Sequence, residues 1–228
     1  MPARTAKEAL SRERVLQAAL TLADHEGVRA VTMRRVAEAL DCEAMSLYYY
    51  VRDKDSLLAA LTEAVLGEIA EACLTPAMEH GAADWREVVR RRSLAAREVM
   101  LRHPWAPRLV AAQPDAPATA YPLFEALVAT MVGDGCSYPL AHRAIHSLGS
   151  MLLGFTQELF EPEGGDQNAS QEEMEALALA MPHLARIAEV AAHESEGSLS
   201  VCDTRAEFEF TLALVLDGLE ERRRSGSV

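Results

Sequence analysis

Residues 31–61, VTMRRVAEALDCEAMSLYYYVRDKDSLLAAL, decide how the chain folds. Thr32 is a good N-cap for a first helix over Met33–Leu40, which carries its apolar side chains on one face. Asp41-Cys42-Glu43 interrupts this pattern for only three residues, and a second helix is predicted over Ala44–Tyr50. Two short helices joined by so brief a turn are typical of a helix-turn-helix. The spacing alone also fits a packed helical hairpin, so both interpretations stay open at this point.

Helical signals continue along the rest of the chain, and strand signals are nearly absent. Ser11 precedes a predicted helix that Gly27 ends, and Asp53 starts a longer one. Asp84 can cap a helix from Trp85 to about Arg102. Further helices are predicted over Tyr121–Val132, from Ser137 to about Phe160, over Met174–His193 with an interruption near Pro182, and from Thr204 to near Arg224, with a surface loop at 161–173. The fold is therefore predicted to be all-α.

The composition is that of an ordinary globular chain. Of its 228 residues, 50% are hydrophobic and 25% are charged. No apolar run approaches the ~20 residues of a membrane span, and the polar first residues carry no secretory signal. The four cysteines are far apart and form no CxxC pair. We therefore expect a cytoplasmic protein with reduced thiols, and neither a membrane partner nor a zinc site.

Charge is distributed unevenly along the chain. Residues 1–56 contain nine basic and nine acidic side chains, whereas the remainder contains thirteen basic and twenty-six acidic ones. The net charge of −13 therefore belongs entirely to the second part. Such an asymmetry suggests two tasks in one chain. It predicts a first domain over residues 1–56 and a second over residues 57–228.

Several letters of the opening stretch carry a more specific signal. Thr32, Leu47-Tyr48, Val51, Lys54 and Leu57-Leu58 resemble the DNA-binding region of the tetracycline-repressor (TetR) family. The resemblance extends over nearly the whole chain, through Trp85, His103, Tyr121, residues 135–137, Gly154 and residues 208–220. It implies an N-terminal three-helix helix-turn-helix domain followed by a larger helical ligand-binding and dimerisation domain. It also implies a ligand-responsive transcriptional regulator, most often a repressor, which binds a palindromic DNA operator as a homodimer.

The resemblance assigns DNA contacts to the two short helices. Ala44 and Met45 would face the bases, and since neither can hydrogen-bond a base, they would contact thymine methyl groups. Family members often place glycine where this chain has Asp41, a residue that also tolerates the left-handed conformation. The candidate DNA-binding residues are Thr32, Arg34, Ala44, Met45, Ser46, Tyr48, Tyr50 and Lys54.

Members of the family dimerise through two helices near the C-terminus, which match segments 138–160 and 204–222 here. The last helix carries a broad apolar stripe, and the alternative is that this stripe only closes the protomer's own core. The candidate dimerisation residues are Leu148, Leu152, Phe208, Leu212, Val215, Leu216 and Leu219.

The second domain of the family holds an effector pocket. The positions that grip tetracycline and its magnesium are matched here by Ala70, Arg92, Val110 and Leu127, and alanine, valine and leucine cannot ligate a hard cation. A mostly apolar effector other than tetracycline–magnesium is therefore expected, with no cofactor. The methionines also fit a plain core. The candidate ligand-binding residues are Arg92, Ala96, Met100, Val110, Leu127, Met131, His142, Ile145, His146 and Glu158.

Other functional classes receive less support from the residues. His142 and His146 are four residues apart, as in a zinc pair, but no glutamate lies between them. A glycine-rich phosphate loop, a Gly-x-Ser-x-Gly elbow and a paired-carboxylate motif are all missing, so no enzymatic activity is expected. The remaining alternative is a helical protein-interaction scaffold without sequence-specific DNA binding.

Overall fold

The computed structural model of the chain describes residues 9–155, 178–186 and 204–226. All regular structure in these ranges is helical, which confirms the all-α prediction. The helices are α1 (Arg12–Glu26), α2 (Met33–Ala39), α3 (Ala44–Leu47), α4 (Lys54–Cys73), α5 (Trp85–Arg102), α6 (Ala106–Ala111), α7 (Tyr121–Gly133), α8 (Tyr138–Phe155) and α9 (Thr204–Ser225), with short 3₁₀ turns at Val28–Ala30, Pro76–Met78 and Ala118–Ala120.

The chain divides into two compact units, one of residues 1–157 with 219–228 and one of residues 158–218. In the second unit, the described helical segment around residues 178–186 is interrupted at Met181, next to Pro182 as predicted. The predicted loop at 161–173 lies outside the described residues. Across the described ranges, no helix is both long enough and apolar enough to cross a membrane.

Side-chain caps fix the starts of the helices. The hydroxyl of Thr32 accepts a hydrogen bond from the Arg35 amide at 3.2 Å, and Asp84 caps the amides that open α5. Asp53 and Ser56 form a reciprocal capping box at the start of α4. At the end of α1, Gly27 has a φ of +79°, a conformation that favours glycine. The helix starts predicted at these caps are thus confirmed.

The second helix of the opening motif is shorter than predicted. It ends at Leu47 instead of Tyr50, and residues 48–50 form a turn. The amides of Tyr50 and Val51 both donate to the Leu47 carbonyl, which closes this turn. The backbone then becomes extended by Asp53, the N-cap of α4.

One hydrophobic core joins the first helices of the chain to those that follow. Val15, Val36, Leu47 and Leu61 have no exposed surface, and the same cluster continues to Met100. Helix α4 runs unbroken across the domain boundary predicted at residue 56. The core and helix α4 both continue across residue 56, so packing does not mark a domain boundary there. The division at residue 56 remains a prediction about function.

A buried carboxylate fastens the C-terminal end of α9 within the first unit. Glu220 accepts a hydrogen bond from the indole Nε1 of Trp85 at 3.1 Å and pairs with Arg223 at 2.7 Å and Arg224 at 2.8 Å. The backbone amide of Trp85 donates to Asp134 Oδ2 at 2.7 Å. The start of α5, the end of α7 and the end of α9 are thus tied together. Arg223 and Arg224 serve this cluster, in addition to offsetting the helix dipole.

This cluster predicts an acid-sensitive contribution to stability. The hydrogen bond from Arg223, with that from Trp85, lowers the pKa of Glu220 from 4.5 to about 2. Because the folded pKa lies below the unfolded one, the stabilisation is complete above pH 4.5 and is lost as the pH falls toward 2. Its slope is at most about 1.4 kcal/mol per pH unit. Urea unfolding of the wild type should therefore weaken over this range more steeply than that of Glu220→Gln.

The matched control for this comparison is Glu221→Gln, since Glu221 is the exposed neighbour of Glu220 on α9. It should show the wild-type slope. Equal slopes for the wild type and Glu220→Gln would contradict the assignment of this acid sensitivity to the cluster.

Candidate functional site

The helix-turn-helix stretch has one side packed against the core and one side exposed to solvent. Leu47 is fully buried and Val51 is 5% exposed, as expected for the two residues that hold α3 against its neighbours. The turn between α2 and α3 contains Asp41 with a φ of +50°, in the left-handed conformation expected there. Met45 is 77% exposed and Tyr48 is 46% exposed. The outward face of α3 is therefore open to a partner.

The other predicted DNA-contacting residues lie around this face. Ser46 is exposed and Ala44 is half-buried. The Arg34 guanidinium is exposed and pairs with Glu38 at 2.9 Å. Lys54 is the exposed first residue of α4. Its ammonium group is therefore free to approach a DNA phosphate, while the carboxylate of Asp53 caps the helix beside it.

The roles of two neighbouring tyrosines differ from the sequence prediction. The Tyr50 hydroxyl donates to the Leu10 carbonyl at 2.8 Å, so it fastens the segment before α1 and is not presented to a phosphate. Tyr49, which sequence reasoning left out, is 88% exposed, and its ring lies edge-on to Tyr50 with the centroids 5.3 Å apart. The sequence could have indicated that Tyr50 faces the protein, because it lies three residues after Leu47 and next to Val51, and both of these are core positions.

Helices α4 to α8 line a cavity of about 620 Å³ within the first unit, and the cavity is open to solvent on one side. Its volume lies in the range of drug-sized ligand sites. Met131 is completely buried but is not among the lining residues, so it belongs to the core. Glu158 lies outside the described residues. The predicted ligand-binding residues that do line the cavity are Arg92, Ala96, Met100, Val110, Leu127, His142, Ile145 and His146.

Sequence reasoning missed much of the apolar wall. Helix α4 contributes Leu66, Ile69 and Cys73, whose spacing of three and four residues places them on one helical face. Leu148 and Leu152, predicted to contact a partner subunit, also line this cavity. Leu148 is buried and Leu152 half-buried in the single chain, and their role as dimer contacts stays a prediction. Further lining comes from Leu123, Phe124, Leu153 and residues 113–117.

Arg92 turns inward and is held by four hydrogen bonds. Its Nε donates to the Cys73 carbonyl at 3.2 Å, and Nη1 donates to the Ala126 carbonyl at 3.1 Å and to Thr130 Oγ1 at 2.7 Å. Its Nη2 pairs with Glu79 Oε1 at 2.7 Å. Arg92 thus fastens α4, α5 and α7 together at the cavity wall. Burial raises the pKa of the adjacent Cys73 thiol to about 11, which keeps it protonated.

The two histidines of α8 lie at the solvent-exposed side of the cavity. His142 and His146 are both exposed, and their rings contact each other edge to face with the centroids 4.8 Å apart. In the described part of the chain, no third ligand from histidine, cysteine, aspartate or glutamate joins them to form a metal site. The pair therefore stands as two polar groups at the cavity.

The apolar stripe of α9 is already covered in a single chain. Phe208, Leu212, Leu216 and Leu219 are each at most 6% exposed, which favours the alternative that the stripe closes the protomer's own core. Their role as dimer contacts stays a prediction. Val215 is half-buried. The exposed apolar side chains of this helix are Phe210, at 63%, and Leu214, at 58%. The helical periodicity of the sequence had identified the apolar face of α9, but it could not show which part of the protein covers that face.

A polar junction connects α1 with the wall of the cavity. Asp24 Oδ1, on α1, accepts a hydrogen bond from Trp105 Nε1 at 2.7 Å and lies 2.8 Å from His103 Nδ1. The other ring nitrogen of His103 lies 3.3 Å from Glu68 of α4, which also pairs with Arg102. His103 and Trp105 are 5% and 6% exposed. This junction, defined by these five residues, adjoins α6, which carries the lining residue Val110.

An exposed helix-turn-helix together with a largely apolar cavity is typical of ligand-responsive DNA-binding regulators. Residues 15–61 match the bacterial regulatory proteins, tetR family, and residues 75–223 match the tetracyclin repressor-like C-terminal domain. The chain therefore belongs to the TetR family of transcriptional regulators.

Individual relatives agree with this membership. An HTH-type transcriptional repressor of Streptomyces coeruleorubidus is 27% identical over 96% of this chain and 80% of its own length. The class C tetracycline repressor of Escherichia coli is 29% identical over 94% and 92%. The crystal structure of a possible TetR family transcriptional regulator from Streptomyces coelicolor A3(2) superposes with a TM-score of 0.73 at 31% identity, covering 92% and 99% of the two chains. The ActR–actinorhodin complex from the same species shares the fold, with a TM-score of 0.67 at 22% identity, covering 95% and 99%.

Proposed function

We propose that this regulator is a repressor that a small molecule releases from its operator. The observation that carries the proposal is the course of α4, which begins at Lys54 beside α3 and lines the cavity with Leu66, Ile69 and Cys73. A helix of this length spans about 30 Å. A ligand that displaces the cavity end of α4 therefore also moves its DNA-facing end. The first 56 residues act as the reading domain and the rest as the sensing domain.

The DNA contacts divide into those that read bases and those that position the protein. Met45, Ala44 and Ser46 face the base edges, and Met45 supplies apolar contact with thymine methyl groups. Thr32 and Arg34 approach the backbone or a base from α2. Tyr48 and Lys54 bind phosphates. Tyr49 replaces Tyr50 in this set because of its exposure.

A single short helix in the major groove makes few contacts, so the functional unit is a homodimer. Two recognition helices related by a twofold axis lie about 34–36 Å apart, which corresponds to one DNA turn. The exposed side chains Phe210 and Leu214, with half-buried Val215, are the dimer contacts that α9 offers. The operator is accordingly a palindrome.

The effector is a mostly apolar molecule bound in the cavity. Among the relatives are tetracycline repressors, and ActR has been crystallised with actinorhodin, so large ring-bearing compounds fit this fold. Tetracycline–magnesium itself is not expected, because Ala70, Val110 and Leu127 offer no oxygen or imidazole ligand. The chain acts in the cytoplasm without enzymatic activity, as do regulators whose only task is reversible binding.

Release of a labelled operator duplex by added compounds tests this function. The duplex is obtained by selection from a random pool, and the compounds are apolar ring systems of drug size. We expect a compound that weakens operator affinity, and the operator should weaken the affinity for that compound by the same factor. Compounds that bind in the cavity and leave operator affinity unchanged would contradict the proposal.

A further inference from the structure

The formal charges that line the cavity differ greatly in their availability to a ligand. With histidine counted as neutral, Arg92 and Asp115 are the charged side chains among the described lining residues. One is a cation in the wall of the cavity and the other a carboxylate in the segment 113–117. The sign of the ligand charge that the cavity accepts depends on which of these two side chains has no partner of opposite charge in the protein.

Arg92 is already compensated by the protein. Four of its five N–H donors are used, by two backbone carbonyls, the Thr130 hydroxyl and the Glu79 carboxylate. Its side chain is 13% exposed, and its charge is paired with the Glu79 carboxylate, which is 64% exposed. An anionic ligand would have to compete with these hydrogen bonds for the Arg92 guanidinium. If Arg92 turned toward the ligand, its partly buried acceptors in the cavity wall would be left without a donor.

Asp115 is in the opposite situation. It is exposed, and within the described residues its carboxylate has neither an ion-pair nor a hydrogen-bond partner. Pro114 and Pro117 restrict the backbone on both sides of it. The other polar lining groups, which include Gln113, Ser93 and the two imidazoles, are formally neutral. Among the lining residues that the structure describes, the net charge available to a ligand is therefore that of one carboxylate.

We infer that the cavity accepts a neutral or cationic effector of ring-bearing, mostly apolar structure and rejects carboxylates and other anions. Asp115 is the residue that selects for positive charge, and the Glu79–Arg92 pair is what removes the attraction for negative charge. The excess of acidic over basic residues in the chain, 35 against 22, adds a field of the same sign. The inference rests on the proposed function of the cavity as the effector site.

Two dyes with the same three-ring xanthene core and a pendant phenyl ring test this inference directly. Rhodamine 6G is a cation and fluorescein is a dianion at neutral pH. Since rhodamine 6G also carries extra alkyl groups, the charge effect is isolated by comparing each dye between the wild type and the charge variants below. Fluorescence anisotropy of each dye with the purified full-length chain gives the two dissociation constants without any DNA. We expect rhodamine 6G to bind at least about tenfold more tightly than fluorescein.

Three variants assign the selectivity to residues. Asp115→Asn should weaken rhodamine 6G binding by about threefold to fivefold, as expected for an exposed charge pair. Glu79→Gln should strengthen fluorescein binding, because it leaves the charge of Arg92 uncompensated. Glu125→Gln is the control, since Glu125 is exposed on α7 but does not line the cavity, and both dissociation constants should stay unchanged.

The outcomes separate the inference from the proposed function. Equal binding of the two dyes, tighter binding of fluorescein, binding of neither dye, or a selectivity that Asp115→Asn and Glu79→Gln leave untouched would each overturn the inference. None of these results bears on whether apolar compounds release the operator, which is measured separately with labelled DNA.

Discussion

Replacing Lys54 with alanine should lower operator affinity by at least about tenfold and flatten its dependence on salt. Lys54 is exposed at the start of α4, and its ammonium group is in a position to pair with a DNA phosphate. A dimer would lose two phosphate contacts, and the slope of log affinity against log salt should fall by about 1.8. The combination with Tyr48→Ala should reduce affinity further, since Tyr48 is a proposed phosphate contact. Anisotropy titrations of the selected operator at several salt concentrations measure both quantities.

A matched variant separates this contact from a general effect of charge. Arg143 is an exposed cation on α8, away from α3, so Arg143→Ala should leave the salt slope at its wild-type value. Circular dichroism should show the wild-type helical content for both variants because neither side chain is in the core. An unchanged slope for Lys54→Ala would show that this lysine binds no phosphate.

Replacing Asp24 with alanine should uncouple effector binding from operator binding. Asp24 Oδ1 lies between Trp105 Nε1 and His103 Nδ1, and those two residues connect the cavity-lining helices to α1. Without the carboxylate, movement of the cavity wall is no longer transmitted to the reading domain through this junction. The ratio of operator affinities without and with effector should therefore fall by about tenfold, within the usual range of coupling energies.

The same variant should also be less stable. Removal of Asp24 leaves buried donors on Trp105 and His103 without their acceptor, at about 1–3 kcal/mol for each unsatisfied group. Asp24→Asn is the matched control, because an amide oxygen at the position of Oδ1 can accept both bonds. It should retain most of the stability and of the effector response. The measurements are urea unfolding and operator titrations with and without a compound from the release screen. A full effector response in Asp24→Ala would contradict the role of the junction.

The sequence predicted best those features that depend on neighbouring residues. Helix α5 was predicted over Trp85–Arg102 and is found there, because Asp84 caps its first amides. The left-handed turn at Asp41 was predicted for the same local reason. The shorter α3 was missed because residues 48–50 form a turn closed on the Leu47 carbonyl, which the apolar pattern does not distinguish from a further helical turn.

Features that depend on distant residues could not be predicted from periodicity. The Arg92 side chain points inward because it hydrogen-bonds to Glu79 and Thr130, which lie 13 and 38 residues away in the sequence. The stripe of α9 was recognised as apolar, but its burial in one chain is a matter of tertiary packing. Most of the predicted cavity residues do line the cavity because the family resemblance supplied their three-dimensional arrangement, whereas the face of α4 was left out.

If α3 and its twofold mate read DNA, the purified protein should select specific duplexes from a random DNA pool. We expect enrichment of a palindrome whose half-sites lie about one turn, or 10–10.5 base pairs, apart. A protein with Met45→Ala should enrich altered bases at the positions that α3 faces. Enrichment of no sequence by a folded, dimeric protein would contradict the account and favour a helical scaffold that does not read DNA.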